Sequence, residues 1–117
     1  MDVKQCYAEL GADYDDVMCR LRTDERIKKF LLKVADDKSF ELLTESLESH
    51  NIEEAFRAAH TLKGVCLNLS ISKLYSVASD MTEALRGKTE YSDAYMPLYE
   101  KVKAEYEKTV KCIRAIE

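Results

Sequence analysis

Apolar residues recur at steps of three and four along most of this chain, which is the period of an amphipathic α-helix. A first stripe runs through Ile27, Leu31 and Val34 and resumes at Phe40 after a polar interruption. The first long helix is therefore expected to kink or break near 37–39. The pattern predicts four long helices, at about residues 24–49, 51–69, 71–86 and 92–116.

Residues that typically begin and end helices mark the boundaries of these segments. Thr23 and Asn51 are placed to act as N-caps, and Gly87 follows the last turn of the third long helix. Pro97 falls in the first turn of the last helix or kinks it slightly. Because short connections favour antiparallel neighbours, we predict an all-α fold. It is an antiparallel up-down four-helix bundle, a single domain of residues 1–117, with short N-terminal helices packed over one end.

Composition narrows the class of protein. Only 3 Gly and 1 Pro occur in 117 residues, too few turn formers for a sandwich or barrel. The net charge of -4 argues against general nucleic-acid binding. Four scattered cysteines have no metal-ligand spacing, which argues against a metal site. Three of them interrupt apolar helical patterns, which favours buried free thiols. Without a signal core or a long apolar run, we expect a cytoplasmic protein with no membrane association; the polar helix exteriors favour a monomer.

The most specific chemistry lies in the middle of the second long helix. Helical spacing places His60, Lys63 and Gly64 on one strip, outside the apolar arc of that helix. A histidine side chain ordinarily has a pKa of ~6.5, so near neutral pH a ring nitrogen is free to attack phosphorus. Lys63 can face the phosphate oxygens, since phosphoryl transfer depends mainly on positioning and charge stabilisation. Gly64 costs about 1 kcal/mol of helix propensity relative to Ala, which indicates that a partner's backbone approaches the imidazole there.

Each feature also has an ordinary structural explanation. A lone exposed histidine is usually just solvated, as we expect for His50, and a mid-helix glycine often marks a close contact between helices. The conjunction of His60, Lys63 and Gly64 at fixed spacing is far less expected by chance. Leu67, predicted to be exposed beyond Gly64, extends the strip as an apolar docking surface. We therefore favour a site that carries a phosphoryl group.

At these residues the sequence resembles a known family, the histidine-containing phosphotransfer (HPt) domain, and in particular its small free-standing bacterial versions. The resemblance rests on two runs, Ala59-His60-x-Leu62-Lys63-Gly64 on the helix and Asn68-Leu69-Ser70-Ile71-x-x-Leu74 at the following turn. It extends over nearly the whole chain. One departure is Ser70, which stands where the family's turn usually has glycine, and a positive φ would strain a serine there.

The resemblance implies a role for each position. His60 would be the phosphoacceptor, Lys63 the cation that stabilises the phosphate, and Gly64 the point of clearance. Arg86 matches a position that often contributes to the receiver-binding face, although an arginine near a helix C-terminus also simply favours the helix dipole. Thr82, one turn earlier, could form a hydrogen bond there. Basic residues here suit an acidic receiver pocket. The expected partner-binding set is Arg57, Leu67, Thr82 and Arg86.

The implied function is that of a phosphorelay intermediate in two-component signal transduction. His60 would accept a phosphoryl group from a receiver-domain aspartate or a hybrid histidine kinase and pass it to another response-regulator aspartate. We expect no cofactor on this chain, because Mg²⁺ should belong to the partner receiver domain.

Two other classes of function are open to a helical bundle of this kind. A helical adaptor could bind receiver domains without transferring phosphate, and it stays as the alternative. A kinase would need a Gly-rich phosphate loop, and a bundle metal site would need inward-facing Glu-x-x-His pairs. The sequence has neither, so we expect a phosphotransfer protein without autonomous kinase activity.

Overall fold

A computed structural model describes all residues from 1 to 117, and 77% of them are helical, with no strand. The prediction of an all-α fold is therefore confirmed. None of the helices combines the length and the apolar character that a bilayer crossing requires. The seven helices are α1 Val3–Leu10, α2 Tyr14–Leu21, α3 Asp24–Asp36, α4 Ser39–Glu48, α5 Ile52–Asn68, α6 Ser72–Leu85 and α7 Tyr95–Arg114.

Side-chain caps set several of these boundaries. The Thr23 hydroxyl accepts a hydrogen bond from the backbone N–H of Arg26, and Asn51 caps α5 in the same way. The expected break in the first long helix is confirmed, because Asp37 is extended and separates α3 from α4. Its carboxylate accepts from the N–H of Ser39 at 2.7 Å, which starts the next helix. Pro97 lies in the first turn of α7, where its missing N–H leaves no helical bond unmade.

Helix packing places α5 at the centre of the contacts that matter for function. It lies against α4 on one side and α6 on the other, while α6 packs on α7 and α7 packs on α3 and α1. All seven helices contribute to one cluster of 26 buried apolar residues. Ala55, Ala59 and Leu62 are at most 1% exposed, so the inner face of α5 is fixed in this core.

The two short N-terminal helices contact the end of α5. The Tyr7 hydroxyl donates to the carbonyl of Leu69 at 2.7 Å, and Arg20 donates to the carbonyl of Asn68 at 3.0 Å. These bonds satisfy carbonyl groups that the last turn of a helix would otherwise leave unpaired. The turn that follows α5 is therefore anchored by both α1 and α2.

Candidate functional site

His60 lies near the middle of α5 with an exposed side chain. Its neighbour Ala59 and the residue two positions on, Leu62, are at most 1% exposed. The imidazole therefore projects from a helix whose opposite side is locked into the core. This support fixes the backbone of His60 and leaves the ring open to solvent.

An aromatic ring lies beside the imidazole. Phe56, one turn earlier on α5, lies nearly parallel to the His60 ring, with 5.9 Å between the ring centroids and 12° between the planes. The guanidinium carbon of Arg86, on α6, lies 5.1 Å from the centroid of the same phenyl ring, in cation–π range. Phe56 thus links the histidine of one helix to the arginine of the next. Sequence reasoning missed it, although its spacing of four residues from His60 was a visible signal.

A carboxylate on α6 joins the two cations of the site. Glu83 accepts two hydrogen bonds from Arg86, at 3.0 and 3.1 Å, and its Oε1 lies 4.0 Å from Lys63 Nζ. The hydrogen bonds from Arg86 lower the pKa of Glu83, and the charges of Lys63 and His60 lower it further. Glu83 was also missed, because its contact with Lys63 depends on how α5 and α6 pack.

Gly64 opens the helix surface beside His60. A Cβ built on this glycine would meet no atom within 4 Å. The alternative that Gly64 serves close packing between helices within this chain is therefore wrong. Leu67, one turn further along, is 57% exposed, as the pattern predicted. His60, Gly64 and Leu67 form one exposed strip along α5, which we call the acceptor strip.

The predicted partner-binding residues fall into two groups. Arg57 and Arg86 are exposed, and each pairs with a carboxylate on its own helix. Thr82 has no exposed surface, and its hydroxyl donates to the carbonyl of Ala78 at 2.7 Å. The prediction that Thr82 contacts a partner is therefore wrong, because its side chain faces the core and its one donor is already used.

The turn after α5 places its serine, Ser70, in the positive-φ conformation that strains a residue with a side chain. Ser70 has a φ of 58°, the left-handed conformation that glycine adopts without strain. Its hydroxyl donates to Asp16 at 2.6 Å and accepts a hydrogen bond from Arg20. The bonds from Ser70 and Arg20 lower the pKa of Asp16. This network gives the serine partners that glycine would lack, which offsets the backbone strain.

An exposed histidine on a helix anchored in the core, with cations beside it, is an arrangement suited to carrying a phosphoryl group. The Hpt domain family model matches residues 28–111, and the chain therefore belongs to the Hpt domain family. No curated protein and no solved structure matched the chain. The matched region begins within α3, so it takes in the acceptor strip and leaves out α1 and α2.

Membership of the Hpt domain family indicates a general function. Hpt domains are phosphotransfer carriers without kinase activity of their own, and they interact with receiver domains and kinases in phosphorelays. The chain is accordingly involved in histidine phosphotransfer in two-component signalling.

Proposed function

We propose that this protein is a phosphorelay intermediate in which His60 is the phosphoacceptor. It takes a phosphoryl group from a receiver-domain aspartate or a hybrid histidine kinase and passes it to another response-regulator aspartate. The observation that carries the proposal is the exposure of the His60 imidazole in the middle of a rigid helix, beside backbone that no side chain covers.

The transfer step needs little from this chain besides position and charge. The lone pair of a neutral imidazole nitrogen forms the N–P bond while the P–O bond of the aspartyl phosphate breaks. The electron pair of that bond stays on the aspartate carboxylate. Running the same step backwards onto a second receiver returns the imidazole to its starting state. No separate acid or base on this chain is required, because the leaving carboxylate is already a stable anion.

The surrounding residues support this step. Lys63 and Arg86 supply positive charge for the phosphoryl oxygens, which carry the negative charge of the transition state. Phe56 keeps the imidazole plane fixed, and Gly64 lets the partner's backbone approach the ring. Leu67 and Arg57 extend the contact surface on either side. Mg²⁺ belongs to the receiver domain in this scheme, and no cofactor is assigned to this chain.

The contacts between helices support an antiparallel up-down four-helix bundle. Its first member is α3 together with α4, and α5, α6 and α7 are the other three. In that arrangement α1 and α2 cover the end near Ser70. We further propose that the protein acts as a cytoplasmic monomer, since the acceptor strip serves a partner of a different kind rather than a second copy of this chain.

The experiment follows the radioactive phosphoryl group. A receiver domain labelled on its aspartate is mixed with the wild-type protein, with His60→Gln, or with the control His50→Gln. We expect the wild type and the control to gain label that is acid-labile and alkali-stable, as phosphohistidine is. His60→Gln should fold normally and gain none, because its amide cannot form the N–P bond.

Undiminished labelling of His60→Gln would remove the proposal. A wild-type protein that binds the receiver but never gains label would instead identify it as the non-transferring adaptor. Receiver binding is therefore measured in parallel with labelling, for example by calorimetry.

A further inference from the structure

We propose that Glu83 is a positioning residue that competes with the phosphoryl group for the cation of Lys63. In the unphosphorylated protein its carboxylate engages both Lys63 and Arg86; when His60 becomes phosphorylated, Lys63 leaves Glu83 and turns to the phosphoryl oxygens. This inference rests on the role of His60 proposed above.

The two cations are held to Glu83 with unequal strength. Arg86 forms a two-point contact, with its Nη2 3.0 Å from Oε1 and its Nε 3.1 Å from Oε2. Lys63 Nζ lies 4.0 Å from Oε1, beyond hydrogen-bond distance. Lys63 is therefore attracted by charge alone and can be released without breaking a hydrogen bond. Arg86 is the partner that keeps the carboxylate in place.

The position of Lys63 makes an exchange of partners possible. Its side chain is 22% exposed and arises one helical turn after His60. A lysine carries its charge at the end of a flexible four-carbon stem, so the ammonium can move by several ångströms without moving the helix. The same ammonium can thus reach towards α6 in one state and back along α5 in the other.

The charges of the site decide the direction of the effect. Glu83 already places one negative charge beside Lys63, and a phosphoryl group on His60 adds about two more near neutral pH. The carboxylate and the phosphoryl group therefore repel each other while both attract the same ammonium. Glu83 should lower both the rate at which His60 is phosphorylated and the stability of the phosphorylated form.

If Glu83 had a purely structural role, a different result would be expected. As an i,i+3 partner of Arg86 it would add a few tenths of a kcal/mol to helix stability, and its loss would leave the chemistry of His60 unchanged. The two roles are separated by measuring phosphorylation and unfolding on the same variants.

The test uses phosphoramidate, a small phosphodonor, so that no partner protein is involved. The imidazole nitrogen forms the N–P bond as the P–N bond of phosphoramidate breaks, and the amine takes up a proton and leaves as ammonia. The rate is compared in the wild type, Glu83→Gln and Glu83→Asp. Asp80→Asn is the matched control, because it removes one exposed carboxylate from the same helix.

We expect Glu83→Gln to be phosphorylated about two- to fivefold faster than the wild type, the range for an exposed charge pair. The gain should shrink at about 1 M salt, where charges are screened within ~3 Å. Asp80→Asn should match the wild type, and Glu83→Asp, which keeps the charge, should lie between. In a Lys63→Ala background, Glu83→Gln should produce a smaller gain, because only the direct repulsion between the carboxylate and the phosphoryl group is then relieved.

Three results overturn the inference and are distinguishable from one another. If the wild type is labelled but Glu83→Gln is no faster, the competition fails while His60 remains the acceptor. If the wild type is not labelled at all, the proposed function and this inference fall together. An equal gain in Asp80→Asn also overturns the inference, since the effect would then be one of net charge.

Discussion

Replacing Gly64 with alanine should make the protein more stable. Gly64 has an ordinary helical conformation, and an added Cβ would meet no atom within 4 Å, so the substitution introduces no clash. Alanine is favoured over glycine in a helix interior by about 1 kcal/mol. For a domain of this size that gain corresponds to an increase in Tm of about 3–6 °C. Urea unfolding followed by circular dichroism gives the free energy directly.

The same substitution should impair transfer from a receiver domain. If a partner's backbone approaches His60 over Gly64, a methyl group there overfills the contact, which costs about 1–3 kcal/mol in a packed environment. The rate of transfer from a phosphorylated receiver should then fall about tenfold, and further for Gly64→Gln. Labelling by phosphoramidate should not change, because that donor is too small to meet the methyl group.

Gly87 provides the matched control for the stability half of this argument. A Cβ there would also meet nothing within 4 Å, but its φ is +70°, so Gly87→Ala should lose about 1 kcal/mol. A stabilised Gly64→Ala that accepts phosphate from the receiver at the wild-type rate would refute the idea of clearance. A destabilised Gly64→Ala would contradict the observation that a side chain at position 64 meets no other atom.

Two further predictions concern stability alone. Since hydrogen bonds from Ser70 and Arg20 lower the pKa of Asp16, its contribution is present above the ordinary aspartate pKa and is lost as pH falls through the lowered value. Asp16→Asn should therefore lose stability less steeply than the wild type below about pH 4; parallel curves from urea titrations at stepped pH would contradict this. Arg22, which ends α2 with a φ of 76° and an exposed side chain, strains the backbone. Arg22→Gly should raise the free energy of unfolding by about 0.5–1 kcal/mol, and a decrease in the same assay would count against the strain.

The sequence was most informative where structure depends on local physics. Helical periodicity and caps such as Thr23 and Asn51 act within a few residues, so they predicted the helices and the break near Asp37 without knowledge of packing. The exposure of His60 followed from the same periodicity, because the wheel separates it from the buried arc that contains Leu62. Rules that involve only residues close together in the sequence are enough to predict such features.

The error at Thr82 came from setting that periodicity aside. Thr82 lies four residues after Ala78 and three before Leu85, both buried, so the helical period itself places it on the inner face of α6. The prediction that it contacts a partner rests instead on its place one turn before Arg86. A buried threonine in a helix commonly bonds to the carbonyl four residues back, as this one does.

Phe56 and Glu83 show what one sequence could not provide. Their roles depend on the rotation and spacing of α6 relative to α5, which decide that Arg86 reaches Phe56 and that Glu83 reaches Lys63. The rotation and spacing of the two helices are set by the packing of many buried side chains, and no short run of residues determines them.

The division of labour within α5 follows from these observations. Its inner residues, such as Ala59 and Leu62, are buried and fix the helix. On its outer side His60 is exposed beside Phe56, and a Cβ on Gly64 would meet no atom within 4 Å. Substitutions on the acceptor strip should therefore change phosphotransfer with small or even favourable effects on stability. Beside this strip a single carboxylate, Glu83, faces the two cations Lys63 and Arg86, so their positive charge is only partly offset, which favours an anionic group at His60.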